Sequence, residues 1–432
     1  MSERAVSRRE VLKGSVALAI SAGSMRIIGA DFEHVPLACA SLGTDARDTA
    51  ADLLDTWIVV HQDGAVTVYF GKTDLAQGVD TAIAQVVAEE LDVSVDAVSV
   101  VMGDTALTPN QGGLSASTAC SAAAKPLRNA AAEARRLLIE AAAAHFGIAS
   151  EGLSALDGVV FVTESKDRRV SYGQLIGGKG FAAKLEWNRR EGNFLDVVGR
   201  AKPKDPASYR VVGQPVPRKD LPGKIFASTE FCHHVSIPGM LHGRMVRPPV
   251  ANAIPQSVDE GSLDKGRSEQ VGRVGNLLGV VAPTEWGAIK AAQRLRVTWS
   301  KTEAPFPSMS ELHEHIRQAA PVTGNAANAF FGKTVPYDPL PTERIIEDSA
   351  RVLNAEYELP FQSHARMAPS VAVADVSAEC ALIYSDTQKP HAMRAGLAKL
   401  LGLPVQQVRV VWRPGAGSYG RSDADEAAFE AA

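Results

Sequence analysis

Residues 103–126, GDTALTPNQGGLSASTACSAAAKP, end an apolar strand-like run and crowd Gly, Ser, Thr, Asn and Gln ahead of an alanine-rich helix. Small hydroxyl groups and free backbone N–H groups at a helix start attract anions, because the unsatisfied donors and the helix dipole point the same way. Two readings stand side by side: a loop that cradles an anionic group, and an ordinary turn closed by a Ser or Thr helix cap. Metal chemistry has no comparable signal. Cys39, Cys120, Cys232 and Cys380 lie far apart, without the close pairs that zinc and iron–sulfur sites use. His233, His234 and His242 lack H-x-x-x-H or C-x-x-C neighbours and read as structural or surface residues, so no metal ligand is assigned.

The elements around this loop are legible from periodicity. In TWIVVHQDGAVTVYFG two alternating strands meet at Asp63-Gly64, a hairpin signal. DTAIAQVVAEEL reads as a helix with Ile83, Val86, Val87 and Leu91 on one face and Glu89 and Glu90 towards the solvated one. A strand, VDAVSVVMGDT, leads into the loop. The helix LRNAAAEARRLLIEAAAAHFG leaves it, with Gly147 as its stop, and a second hairpin turns at Asp157-Gly158. The Pro-, Gly- and Lys-rich run AKPKDPASYRVVGQPVPRKDLPGKIF reads as an extended crossing between domains. GVVAPTEWGAIKAAQRLRVTWS gives strand, helix and strand, the helix read from Trp286, Ile289, Ala292 and Leu295. Residues 301–345 read as a long connection. VAVADV, ECALIYSDTQ, AMRAGLAKLLG and VRVVW then give strand, strand, helix and strand, and no clear internal repeat is visible.

With 432 residues, 45% of them hydrophobic, the chain can bury sizeable cores in two or three domains. A net charge of −4 with scattered Lys and Arg offers no field for nucleic acid. At the N-terminus, SRREVLKGSVALAISAG places Arg8 and Arg9 before a short, mildly apolar stretch, with Ala38-Cys39-Ala40 as a cleavage site downstream. The stretch resembles a twin-arginine export signal, and its alternative is the start of a basic amphipathic helix. Export by that route implies folding before crossing and a periplasmic location.

Five stretches, in order, resemble the molybdopterin-binding large subunit of the molybdenum hydroxylases, the xanthine oxidase family, in particular its exported bacterial branch of isoquinoline 1-oxidoreductase and nicotinate dehydrogenase type. AQGVDTAIAQVVAEELDV is similar to the family's G-Q-G-x-x-T-x-x-x-Q segment, GDTALTPNQGGLSAS to its G-D-T-x-x-T-P loop, and PGMLHGRMVRPP to its domain-entry motif. SDTQKPHAMRAGLAKLLGLP and GAGSYGRSDADEAA resemble its Gln-bearing and Gly-rich elements over the metal. The resemblance implies an α+β, multi-domain molybdopterin-binding fold of mixed sheets packed by helices. It divides the chain into an export signal (1–40), an N-terminal molybdopterin-binding segment (50–200), an a/b hammerhead-like domain (201–310) and the start of the main molybdopterin-binding domain (345–432).

By the same resemblance Gln77, Gly78, Gly113, Ser115, Ser117 and Thr118 hold the pterin dinucleotide. Gln388 reaches towards the metal's oxo ligand, and Gly417, Ser418 and Tyr419 form a turn close to the metal. The local alternatives are a strand-end polar residue at Gln388 and a strand-to-helix turn at Gly415 and Gly417, before a helix capped near Ser422 or Asp423. Ala76 and Leu114 depart from the family pattern, as does HARMAP at residues 364–369, which lacks a Glu found in some relatives. The implied cofactor is molybdenum-molybdopterin, in the cytosine dinucleotide form, with neither FAD nor an iron–sulfur cluster in this chain. The implied reaction is hydroxylation of an N-heteroaromatic compound or aldehyde, with water as oxygen source and a small [2Fe–2S] subunit as electron acceptor.

The family's general-base Glu comes near the far end of longer chains, and no residue here is matched to it. DADEAAFEAA reads as the opening of a helix whose apolar residues Ala428, Phe429 and Ala432 lack a partner. The expectation is a C-terminally truncated chain whose final domain is incomplete. Three readings follow: an enzyme part completed by a second polypeptide, an inactive remnant, or an exported binding or assembly protein.

Overall fold

The computed structural model describes residues 49–263, 268–319, 340–360, 362–422 and 426–432. The expected export segment, with Arg8 and Arg9, lies outside the described residues, as does Asp423. The fold is α+β, and the described residues form two compact units. One contains the residues up to Val246 together with Asp259–Arg296 and His364–Ala432, and the other Arg247–Val258 and Val297–Ser363.

In the first unit a single motif is used twice. Strand Ile58–Val60 pairs antiparallel with Val66–Phe70 across the Asp63-Gly64 turn, where Gly64 takes φ 89°. Helix Val79–Leu91 and a 3-10 turn at Val95–Ala97 then return the chain to strand Val98–Met102, parallel to Val66–Phe70. The same sequence of events recurs far along the chain. Ala372–Val376 pairs antiparallel with Ala381–Ser385, helix Pro390–Leu401 and a 3-10 turn at Val405–Gln407 follow, and Val408–Trp412 returns parallel to Ala381–Ser385. Backbone pairing and apolar pattern repeat while side-chain identities do not, which is why the sequence alone conceals the repeat.

The two returning strands meet at their ends. Asp104 and Val411 form an antiparallel bridge, Thr105 N donates to Val410 O at 3.0 Å, and Trp412 N donates to Gly103 O at 3.1 Å. Arg409 grips both Asp104 carboxylate oxygens, at 3.0 and 2.7 Å, the fork geometry that suits guanidinium and carboxylate.

Helix Ala124–Phe146 grows out of a five-residue π-helical turn, Ala119–Ala123, and ends at Gly147 with φ 68°. Its face of Leu127, Ala130, Ala131, Ala134, Leu138 and Ala142 is buried in one core with Ile83, Val87 and Leu91 of the preceding helix. Alanine lets the two helices approach closely, and each buried Leu contributes about 1.5–3 kcal/mol.

Glu89 and Glu90, read as a solvated face, are buried at 2% and 0% exposure. Glu89 accepts the backbone N–H groups of Arg210, Val211 and Val212. Glu90 accepts from Lys204 N and pairs with Arg128 at 2.7 Å. Glu133 on the neighbouring helix takes Arg200 N and Ala201 N at 2.8 and 2.9 Å. These carboxylates therefore fasten the Pro-rich segment that the sequence presents as a free crossing. Its unpaired N–H groups require acceptors, and the helices supply charged ones.

Helix Glu285–Arg294 packs on strands Leu277–Ala282 and His242–Met245, with Leu295 of the expected face buried and Ile289 and Ala292 half-buried, but not Trp286. Ala288, Ala291 and Leu295 are buried, while Trp286 is 62% exposed beneath the Lys290 ammonium. Small residues allow the close contact with the sheet that an indole would prevent. The last helix, Glu426–Ala431, does have a partner. Ala428 is fully buried in the core of the second sheet, and Phe429 fills the space over Gly396, where a Cβ would collide with its ring.

In the second unit, part of the expected connection is helical, at Leu312–Gln318 and Leu340–Glu347. Arg317 joins Glu356 and Glu358, and Ser300 N donates to Ile254 O at 2.9 Å.

Candidate functional site

The loop of residues 103–118 is held from beneath by the end of strand Val66–Phe70. Gly71 N donates to Gln111 Oε1 at 2.8 Å, and Gln111 Nε2 reaches Ala123 O at 2.8 Å, tying the loop to the helix start. A Cβ on Gly71 would overlap the Pro109 carbonyl oxygen, so this position admits no side chain.

Lys72 follows and is completely buried. Its ammonium donates to Gly113 O at 2.6 Å, Thr118 Oγ1 at 3.2 Å and Asn193 Oδ1 at 2.5 Å. Burial pushes its pKa down to about 8.

Between the residues this lysine holds, the backbone turns through two consecutive left-handed non-glycine residues, Ala116 at φ 50° and Ser117 at φ 58°. Each such residue costs about 1–2 kcal/mol, so the turn persists only because its ends are fixed. Thr118 closes it, donating to Ser115 O through both N, at 3.0 Å, and Oγ1, at 2.7 Å. Ala116 and Ser117 are exposed at the tip, where the π-helical start of helix Ala124–Phe146 begins. Irregular helical starts of this kind recur at functional sites.

Gln388 stitches this loop to the second copy of the motif. Leu114 N donates to Gln388 O at 2.9 Å, Gln388 Nε2 donates to Leu114 O at 2.7 Å, and Ser418 Oγ donates to Gln388 Oε1 at 2.9 Å. Ser418 Oγ in turn accepts from Ser422 N at 3.1 Å, so that serine fixes the turn after strand Val408–Trp412. Gly417, Tyr419 and Gly420 there take φ 82°, 54° and 94°, and Tyr419 is 59% exposed with its ring against Gly417. Arg366 donates to Gly417 O at 2.6 Å and pairs with the buried carboxylate of Asp386. Burial raises the Asp386 pKa above the ordinary carboxylate range, although Arg366 opposes it. Asp386 lies directly under Gly415, where a Cβ would overlap its carboxylate.

Gly113, Thr118, Gln388 and Ser418 are thus joined in one hydrogen-bonded assembly, with Ser115 and Ser117 on its turn and Gly417 and Tyr419 at its far edge. Gln77 and Gly78 are held differently. Gln77 is exposed, its Oε1 accepting from Leu75 N at 2.8 Å, and Gly78 N is bound by the Asp74 carboxylate. Ala76, where the family pattern has glycine, takes φ 78°, and Arg218 donates to its carbonyl at 3.0 Å.

Lys72, Asn193, Arg366 and Asp386 escaped the sequence reading. A signal existed for Lys72: Val66, Val68 and Phe70 are buried on alternate positions, and the same alternation carries on to Lys72.

A group bearing phosphates fits these residues. The turn is exposed, sits at a helix start, carries Ser115 and Ser117, and lies over a buried ammonium. The Gln388 amide, by contrast, is engaged at both ends within the protein.

Comparison with known proteins gives concordant matches. A family model described as a molybdopterin cofactor-binding domain matches residues 35–228, and a second of the same description matches residues 326–432. A nicotinate dehydrogenase subunit of Pseudomonas putida is 35% identical over 388 residues, covering 88% of this chain and 31% of that protein. The beta subunit of isoquinoline 1-oxidoreductase of Brevundimonas diminuta is 27% identical over 433 residues, covering 90% of this chain and 54% of that protein. Among solved structures, the aldehyde oxidoreductase of Desulfovibrio gigas superposes with a TM-score of 0.39 at 20% identity, over 53% of this chain and 30% of the other, too remote a match to argue from. The chain spans less than two thirds of the length of each of these relatives.

Proposed function

Because the chain belongs to the molybdopterin-binding subunits of the xanthine oxidase family, we propose that it holds a molybdenum pterin dinucleotide and serves hydroxylation of an N-heteroaromatic compound or an aldehyde. The observation that carries this reading is the exposed left-handed turn at Ala116 and Ser117, set over a buried ammonium at the start of a long helix. When bound, such a cofactor supplies a redox-active molybdenum centre and a pyrophosphate.

This chain's own residues contribute binding and positioning. The Gly113 and Ser117 N–H groups and the Ser115 and Ser117 hydroxyls receive the anionic part, while Thr118, whose N–H and hydroxyl both donate to Ser115 O, closes the turn, and the Gln77 and Gly78 N–H groups are held by the Asp74 carboxylate. Gln388 sets the spacing between that loop and the Gly417–Tyr419 turn by engaging Leu114 and Ser418 together. Arg366 and Asp386 keep the Gly417 carbonyl in place. No residue of residues 1–432 is assigned as the general base, and the reaction as a whole is proposed for an assembly that includes the remaining length of the relatives.

The finer parts of the proposal are a cytosine dinucleotide form of the pterin, a small [2Fe–2S] subunit as electron acceptor, and twin-arginine export to the periplasm. The names of the two relatives, each a subunit, support the second; Arg8 and Arg9 support the third. Replacing both arginines by lysine then retains the protein in the cytoplasm, whereas unchanged periplasmic recovery contradicts export by this route.

The test is the molybdenum and pterin content of the chain purified from a cofactor-competent host, alone and together with any polypeptide encoded beside it. Metal and pterin in stoichiometric amount are expected in at least one preparation. Their absence from both removes the enzymatic reading.

A further inference from the structure

Several buried charges among the described residues are met by opposite ones: Arg409 by Asp104, Arg366 by Asp386, Glu90 by Arg128. Lys72 is not. At 0% exposure its donors end on three uncharged oxygens, and among the described residues no carboxylate pairs with it. An ammonium that serves packing alone is replaced at less cost by an apolar chain of the same length, so a buried cation without a counter-ion points to an anion supplied from outside.

The three acceptors belong to separate segments: Gly113 opens the left-handed turn, Thr118 closes it, and Asn193 stands on the Gly192–Phe194 turn. All the donors of the ammonium are occupied, so it cannot itself grasp a ligand. It clamps the two ends of the turn and places its charge beneath it.

We propose that Lys72 is the positioning residue of the phosphate-binding turn: it fixes Gly113–Thr118 in the left-handed form and sets under it a positive charge that a bound pyrophosphate group compensates. The inference rests on the reading that this loop takes the pyrophosphate of a pterin dinucleotide. Burial alone lowers the Lys72 pKa to about 8, so an anion arriving above it raises that value and binding is strongest while the ammonium is charged.

Titratable and charged groups on the adjoining elements have other engagements. Lys389 packs its stem on Gly113, Glu191 accepts from Asn110, Asp196 pairs with Lys125, and Asp74 accepts the N–H groups of Gln77 and Gly78. The Cys120 thiol, raised by burial, lies on the π-helical turn.

The test uses the whole chain with inorganic pyrophosphate as the probe, read by calorimetry and thermal shift between pH 7 and pH 10 for the wild type and Lys72→Met. Relative to the variant, whose profile carries the ligand's own ionisation, wild-type affinity is expected to fall about tenfold over that range, the equivalent of one unit of anion-induced pKa rise. At pH 7 Lys72→Met is expected to bind at least about tenfold more weakly. If Lys72→Met does not fold, Asn193→Ala, which removes one acceptor on a half-buried turn, is expected to weaken pyrophosphate binding in the same direction.

Equal affinities with superimposable pH profiles overturn the inference, as does failure of the wild type to bind pyrophosphate at all. Molybdenum and pterin content, assayed separately, decides the preceding reading. Lys72-dependent pyrophosphate binding without any pterin in the purified protein keeps the inference and removes that reading.

Discussion

Gln388 and Leu114 bond to each other in both directions, the main-chain N–H of Leu114 to the main-chain carbonyl of Gln388 and the Gln388 side-chain amide to the carbonyl of Leu114. A residue that closes two bonds with a loop 274 positions away, and a third with Ser418, defines where the two copies of the motif stand against each other. Gln388→Met keeps the volume and strands the Leu114 carbonyl and the Ser418 hydroxyl. The expected loss is about 1–3 kcal/mol for each buried group left unpaired, read as a lower urea midpoint with an unchanged slope. A midpoint equal to wild type would falsify the structural role given to this amide.

Gly71 and Gly152 make a matched comparison. Alanine at Gly71 drives a methyl group into the Pro109 carbonyl oxygen, a main-chain atom that cannot swing aside, whereas at Gly152 the nearest atom is Ile148 Cδ1 at 3.6 Å. Gly71→Ala is expected to lose more than about 3 kcal/mol or to be recovered unfolded, while Gly152→Ala stays within about 1 kcal/mol of wild type. Paired thermal melts separate the two; similar melting temperatures remove the steric argument.

Acid should weaken the fastening of the Pro-rich segment first. Burial pushes the Glu89 carboxyl up, but the N–H groups of Val211, Val212 and Arg210 together with Lys204 outweigh it and hold the pKa below the usual glutamate value. A depressed folded-state pKa gives stability that is present above the unfolded value, about 4.3, and is lost as pH falls through the folded one. Glu89→Gln is therefore expected to cost about 1–3 kcal/mol at neutral pH and to flatten the acid limb of the stability curve. Parallel acid limbs in the two proteins contradict this account.

The sign reverses at Asp386. Its folded-state pKa is raised, first by burial and against the opposing pull of Arg366, so ionisation already disfavours the fold. Arg366→Met removes the carboxylate's paired cation and leaves it only the Val371 N–H and the more distant His233, at an expected cost of about 3–5 kcal/mol near neutrality. For a raised carboxyl the penalty is complete above the folded pKa and vanishes below the unfolded one, so this variant should gain stability on acidification. Adding Asp386→Asn should recover most of the loss, and a double variant no more stable than the single one refutes the pairing.

What the sequence disclosed, and what it hid, divide along one physical line. Local information was enough for the hairpin turns at Asp63-Gly64 and Asp157-Gly158, the second with both residues at positive φ, and for the helix end at Gly147. Each is a demand that a few adjacent residues place on the backbone. Glu89 and Glu90 were misread because helical periodicity identifies the face opposite the apolar stripe but not what returns to cover it. Trp286 misled for a related reason, since hydrophobicity says nothing of how closely a sheet approaches. The exposed Gln77 and the buried Gln388 look equally eligible as letters, and their differing fates are decided by partners hundreds of positions away. The same distance hid the repeat.

The meeting of strands Val98–Met102 and Val408–Trp412 also bears on the order in which the molecule can take shape. Asp104 and Arg409 are 305 positions apart, and the loop between Gly103 and Thr118 depends on that junction and on Gln388 for its outline. Closing so long a span is entropically slow and cannot begin until the later strand has left the ribosome. During most of its synthesis, then, the nascent polypeptide carries an unfinished turn. Maturation is a late event, timed by the arrival of the second copy of the motif.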